Sequence, residues 1–211
     1  MKKIILTLTI LLGNIYSVLA QDINTVFLSV PDSIIFGLEA EHKDRLLANP
    51  KDTAKVLVES TFYSRIERKG ITDSYIALQT SEAGNIQIKL LPLVNDSKII
   101  CVVKTVCGDA CDSQIKFYTT KWATIPQTDL FPKPTIDWFI KSDSDRNSQD
   151  FQNAVTSLDM NPIKIALSPD NDNISVIYDI KAYLSEEDYK RIQPFLIEEP
   201  KILTWDKVSY K

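Results

Sequence analysis

Cys101, Cys107 and Cys111 are the residues whose spacing constrains chemistry most tightly. Three thiols is an odd number, so a chain that matures in an oxidising compartment leaves one unpaired. Cys107 and Cys111 flank the three-residue turn Gly108-Asp109-Ala110. A disulfide across it is the expectation, stabilising by about 2 kcal/mol in the chain-entropy picture because so short a loop has little entropy to lose. A redox role is the alternative reading. It would call for a helix N-terminus to lower the thiol pKa, whereas this C-x-x-x-C lies between two strand patterns. Cys101, between Ile100 and Val102, reads as a small buried hydrophobe.

Other reactive groups are sparse. His42, the single histidine, sits in a charged helical stretch and cannot build a multi-histidine metal centre. Asp143-x-Asp145-x-Asn147 opens like a calcium loop, but Ser148 stands where the sharp-turn glycine belongs and Ala154 where the bidentate acid belongs. Helix-capping and turn chemistry explain that stretch and Asp170 to Asn173 better. Gly37, Gly70, Gly84 and Gly108 are too dispersed to form a phosphate-cradling loop or a nucleophile elbow. The 28 acids permit many carboxylate pairs of the glycosidase type, and the sequence selects none of them. No metal or cofactor is expected.

The elements that must position these groups centre on Lys98 to Trp122. If Cys107 faces Cys111, opposed residue numbers add to 218. Val103 then faces Ile115, Cys101 faces Phe117 and Ile99 faces Thr119, a nearly all-apolar set. The other side of the pleat pairs Val106 with Asp112, Lys104 with Gln114, Val102 with Lys116 and Ile100 with Tyr118, an amphipathic set. A one-residue slip would scatter both rows, so hydrophobic pattern and cysteine spacing specify the same register. Lys104, Gln114, Lys116 and Tyr118 are the candidate binding residues, with Tyr118 supplying contact area.

Residues 1–20 carry a basic start, the apolar run Ile4 to Leu12 and Val18-Leu19-Ala20, the pattern of a secretory signal peptide cleaved before Gln21. Export to the periplasm or cell-envelope exterior is the expectation. No cysteine follows the cut, so no lipid anchor is indicated, and the apolar run is shorter than the ~20 residues of a membrane span. Cleavage removes Lys2 and Lys3 from 24 basic residues, leaving 22 against 28 acids, or −6. An acidic chain lacks the basic footprint that nucleic acid requires.

The remaining 191 residues suffice for a single sizeable core. Asp22 to Val30 reads as an extended lead-in, Pro31-Asp32-Ser33 as a helix start, and Glu39 to Ala48 as a charged helix. Asp52 to Arg68 fits helix or strand. Ser74 to Thr80 and Asn85 to Leu91 are strands that join the central hairpin in a four-stranded meander between about residues 71 and 122. Proline-rich residues 126–134 suggest a boundary between a first half, 21–125, and a second, 126–211. The second half reads as a helix from Gln149 to Leu158, a hairpin of Ile163 to Leu167 with Ile174 to Ile180, a helix capped at Ser185, and a strand from Lys201 to Val208. The fold class is α+β: an antiparallel meander with helices packed on one face, in two loosely repeated halves.

Val30-Pro31-Asp32-Ser33, Lys89-Leu90-Leu91-Pro92, the segment Ile100 to Ser113 with its three cysteines, Phe117-Tyr118-Thr119-Thr120 and Leu167-Ser168-Pro169 together resemble a secreted Bacteroidales family called domain of unknown function 3256. The resemblance implies an exported protein and brings no activity or catalytic residues with it. The tandem layout is also similar to beta-lactamase-inhibitor-like proteins, an analogy of shape that assigns no function. The expected role is a non-catalytic envelope binding or interaction module with an envelope protein or polymer as partner. A carboxylate-dependent hydrolase acting on an envelope or extracellular polymer is the alternative.

Overall fold

The computed structural model describes residues 22–48, 56–62 and 64–211. The expected signal segment lies outside them. Seven strands form one antiparallel sheet in chain order: β1 (Val56–Glu59), β2 (Arg65–Thr72), β3 (Tyr75–Gln79), β4 (Gly84–Pro92), β5 (Lys98–Cys107), β6 (Cys111–Thr119) and β7 (Thr124–Ile125). The β5–β6 register is the one the cysteines require, with Cys101 opposite Phe117 and Lys104 opposite Gln114. Cys107 and Cys111 are disulfide-bonded, and Cys101 is free and buried. The meander extends beyond the four expected strands because the undecided Asp52 to Arg68 segment supplies β1 and the start of β2. There Val58 and Ile66 are opposed and both buried.

Both faces of this sheet are covered. The even-numbered residues of β3 to β6, among them Ile76, Ile88, Ile100, Val102 and Tyr118, pack against α1 (Ile23–Leu28), the loop after it and α2 (Ala40–Leu47). The expected extended lead-in is thus a helix. Asp22 accepts the Thr25 N–H at 2.8 Å as an N-cap, and Ile23, Val26 and Phe27 share the buried stripe that outweighs the β-branched character of Ile-Asn-Thr-Val. Pro31-Asp32-Ser33 begins turns rather than a helix, ending at Gly37 with φ +70°. His42 belongs to a capping box on α2, its Nδ1 accepting the Glu39 N–H at 3.2 Å. Arg68, buried on β2, donates to the Leu46 and Ala48 carbonyls at the C-terminal end of α2, satisfying two acceptors that a helix end leaves open.

The odd-numbered face carries Tyr75, Leu91, Cys101, Val103, Ile115 and Phe117, and the second half lies on it. That half comprises α3 (Gln149–Val155), β8 (Ile163–Leu167), β9 (Ile174–Tyr178), α4 (Glu186–Ile192) and β10 (Lys201–Leu203), with strand order β10-β9-β8. The expected last strand stops at Leu203. Beyond it the chain turns back so that Trp205 and Tyr210 bridge each other and pack against Phe117, an aromatic contact that an extended strand could not make.

The exposed edge of β8 is finished by side chains of the large sheet. Ile163, Ile165 and Leu167 donate their N–H groups to Asp112 Oδ1, Ser113 Oγ and Gln87 Oε1 at 3.0, 2.9 and 2.6 Å. An open strand edge is a template for unwanted pairing, and these three acceptors close it without adding a strand. Asp179 returns the favour to the hairpin by accepting the Cys111 N–H at 2.7 Å. Lys89, with its side chain 1% exposed, adds a polar tie between the layers. Its Nζ donates to the Ser168 carbonyl at 2.7 Å and lies 3.7 Å from Asp172. Burial lowers its pKa, and Asp172 opposes that shift.

Candidate functional site

Lys104, Gln114 and Lys116 project from the even-numbered face near the disulfide end of the β5–β6 hairpin. Lys104 and Gln114 are cross-strand partners, Val102 faces Lys116, and Ile100 faces Tyr118. The first three of the four binding candidates remain solvent-accessible: Lys104 is half-buried, and Gln114 and Lys116 are exposed. Tyr118 is 7% exposed, packed under α1 with its ring 5.6 Å from that of Trp122. It supports this face from within.

The Lys104 side chain has no hydrogen bond or ion pair among the described residues, and neither have the side chains of Lys116 and Gln114. Burial lowers the Lys104 pKa, and repulsion from Lys116 adds to that effect. A half-desolvated ammonium beside a like charge is costly, and an incoming anion would relieve both terms. In an acidic chain, two unneutralised lysines on one patch are a local exception to the overall charge.

Beside Lys104 a cleft of about 280 Å³ opens, walled by Ile34, Ile35, Phe36, Phe62 and Val106. Phe36 and Phe62 stack with centroids 4.3 Å apart, yet remain 67% and 57% exposed. Exposed aromatics grouped in this way are characteristic of contact surfaces. The pair depends on Gly37. Its φ of +70° turns the chain, and its missing Cβ leaves room for Phe62 and Thr61, whose atoms would lie 2.6 and 2.8 Å from a Cβ there. Gly37→Ala is therefore expected to cost about 1–3 kcal/mol through left-handed backbone and steric displacement. Urea denaturation would measure the loss, and near-UV circular dichroism would report separation of the two rings.

Carboxylate chemistry has a different appearance. Asp22 is shifted down by the Thr25 amide, Glu198 by Tyr189 and Gln193, and Asp206 to about 2 by Lys211 and the Ser209 amide. Each shift favours the ionised form, the reverse of what a general acid needs. Among the described residues no group of three or more His, Cys, Asp or Glu is arranged to hold a metal ion. Asp145 instead accepts the Asn147 N–H at 3.0 Å, and Ser148 caps α3 by accepting from Phe151. No helix among the described residues is long and apolar enough to cross a membrane.

The cleft was beyond sequence reasoning because Phe36 and Phe62 are far apart in the chain and come from segments without clear periodicity. The one available signal was the glycine between Phe36 and Leu38.

A solved structure of a domain of an uncharacterised protein from Porphyromonas gingivalis W83 is similar over 88% of this chain and 96% of its own, with 27% identity and a TM-score of 0.80. No curated protein matches the chain. Residues 15–210 match the profile of a family described as a protein of unknown function, DUF3256. With nearly its whole length inside that match, the chain belongs to the DUF3256 family.

Proposed function

We propose that the protein is an exported, non-catalytic binding module of the cell envelope that takes an anionic partner on the even-numbered face of its large sheet. The observation that carries this reading is Lys104, half-buried beside Lys116 with no counter-charge among the described residues, at the rim of an apolar cleft. Lys104 and Lys116 supply the charge, Gln114 a neutral hydrogen-bonding group between them, and Phe36 and Phe62 the apolar contact. The partner is an envelope protein or polymer that presents a carboxylate or phosphate next to an apolar segment.

The test uses the protein purified from its exporting host. Intact mass should place its first residue at Gln21; retention of residues 1–20 in the membrane would refute export. Binding to an acidic polysaccharide and to an acidic, phenylalanine-containing peptide is then measured by calorimetry at low and high salt. The Lys104→Gln, Lys116→Glu double variant should lose at least about tenfold in affinity, equal to about 1.4 kcal/mol, with wild-type binding weakened by salt. Equal affinity of the two proteins, or no binding of either probe, would remove this face from the reading. Turnover of the polysaccharide would assign a hydrolase instead.

A further inference from the structure

On the opposite, odd-numbered face, the second half covers β4 to β6 and shares a core with Tyr75 and Ala77 of β3, and a depression remains beside it over β2 and the Gln79 end of β3. The result is a groove of about 510 Å³ with Gly70 and Ala77 in its floor and Pro169 in its wall. Gln79 and Asn85 line it as direct cross-strand partners. Both are half-buried, and their carboxamides have no hydrogen-bond partner among the described residues.

What such a groove holds is indicated by what lies next to it. Asn85 faces Thr105 and Thr105 faces Ser113, so Gln79, Asn85, Thr105 and Ser113 form one polar row across four strands. The far end of this row is occupied: Thr105 and Ser113 share a 2.8 Å hydrogen bond, and Ser113 Oγ takes the Ile165 N–H of β8. In the adjoining row Gln87 Oε1 takes the Leu167 N–H. The face therefore already holds one extended backbone through side-chain acceptors spaced to meet alternate amides. After Leu167, β8 turns away at Ser168 and Pro169, and the path it followed continues as the open groove.

We propose that this groove binds an extended peptide segment whose backbone N–H groups are accepted by the side-chain carbonyls of Gln79 and Asn85, in continuation of the way Ser113 and Gln87 hold β8. Crossing from β4 to β2 spans two strand spacings, about 10 Å, which an extended segment covers in about three residues. The floor of glycine and alanine lets a backbone approach closely. Of the charged residues lining the groove, Lys69 is paired with Glu67 at 3.0 Å and Glu82 is exposed, while the two carboxamides of the row are uncharged, which suits a neutral backbone. A sugar would need an open aromatic platform. The Tyr75 ring that borders the groove is 7% exposed and faces Lys89 Nζ at 5.9 Å, which leaves the peptide backbone as the matching ligand.

The experiment titrates the full-length ¹⁵N-labelled protein with a pool of blocked, uncharged tetrapeptides of Ala, Ser, Val and Gly. Parallel titrations use the same pool N-methylated at alternate amides and a neutral tetrasaccharide. The side-chain NH₂ resonances of Gln79 and Asn85, assigned through Gln79→Ala and Asn85→Ala, should shift with the unmodified pool at millimolar concentration. Each variant should weaken binding about three- to tenfold, the worth of one hydrogen bond. Absence of shifts at millimolar peptide, equal binding of the N-methylated pool, or a response to the tetrasaccharide instead would overturn the proposal. The groove and Lys104 lie on opposite faces, so the Lys104→Gln, Lys116→Glu variant should keep the peptide response. The two readings therefore fail independently.

Discussion

Trp205→Ala is expected to lower the unfolding free energy by about 3–5 kcal/mol, the range for deleting a large buried aromatic, out of the roughly 5–15 kcal/mol that holds a domain folded. Trp205 is 6% exposed. It packs against Phe117 and Tyr210 with centroids 6.5 and 5.1 Å away, and its Nε1 donates to the Pro92 carbonyl at 2.7 Å. Truncation would leave a cavity between the layers and an unpaired carbonyl at the end of β4. Trp205→Phe keeps most of the ring and should lose about 1–2 kcal/mol, mainly the hydrogen bond and its orphaned acceptor. Ile202→Ala, at a 55% exposed position three residues away, should stay within about 0.5 kcal/mol. Urea denaturation followed by circular dichroism would rank the three. Equal losses for Trp205→Ala and Ile202→Ala would mean that the C-terminal turn does not close the core.

Alkali should unfold the protein over the interval from pH 10 to 12. Burial raises the pKa of Tyr75, Tyr118, Tyr178, Tyr189 and Tyr210 above the ordinary value of 10.0, with Tyr178 and Tyr189 reaching about 12. In the unfolded chain these phenols ionise near 10, whereas in the folded chain they retain their protons. Above pH 10 the native state therefore binds more protons, and stability present below that value is lost as pH rises through the folded pKa values. A fully protected phenol contributes up to about 1.4 kcal/mol per pH unit. For Tyr178, 9% exposed, the loss by pH 12 is on the order of 2 kcal/mol. Lys89 acts in the opposite sense. Its lowered pKa means that protonation is penalised in the native state, so between its folded value and 10.5 it adds stability as pH increases. Lys104, whose pKa is also lowered, acts in the same sense as Lys89, and two lysines against five phenols leave the net effect destabilising. Urea midpoints across this interval test the claim, and Tyr178→Phe should flatten the alkaline slope. An unchanged slope in that variant would show that Tyr178 ionises freely.

The hairpin was legible because two signals of different origin agreed: alternation of apolar residues along β5 and β6, and the cysteine spacing that fixes which residues face each other. The turn of Asp170 to Asn173 and the Ser185 cap were equally local, and they stand where the sequence put them. What was not legible depended on partners distant in sequence. Asp22 to Leu28 has an extended composition, and only the surface supplied by the sheet makes six of its residues a helix. Tyr118 looked like a presentable aromatic on an amphipathic row, but α1 and Trp122 cover that end of the row and leave the Lys104 end open. The two grooves follow the same pattern. Lys104 was singled out by alternation along its strand, whereas Phe36 and Phe62 meet only through Gly37. Gln79 and Asn85 read as ordinary strand-end residues until the path of β8 shows what their row accepts.

The two-sided burial of the large sheet also sets an order of events in time. Helices α1 and α2 precede the strands they cover, so the even-numbered face can close as soon as the meander forms. The odd-numbered face must wait for Ile163 through Tyr210. The 85 residues that follow Ile125, through Tyr210, must be delivered before that face is covered. Throughout that interval Val103, Ile115 and Phe117 form a bare apolar sheet surface. A chain at that stage is at its most adhesive, and a holding chaperone that covers this surface until Trp205 arrives would raise the yield of folded protein.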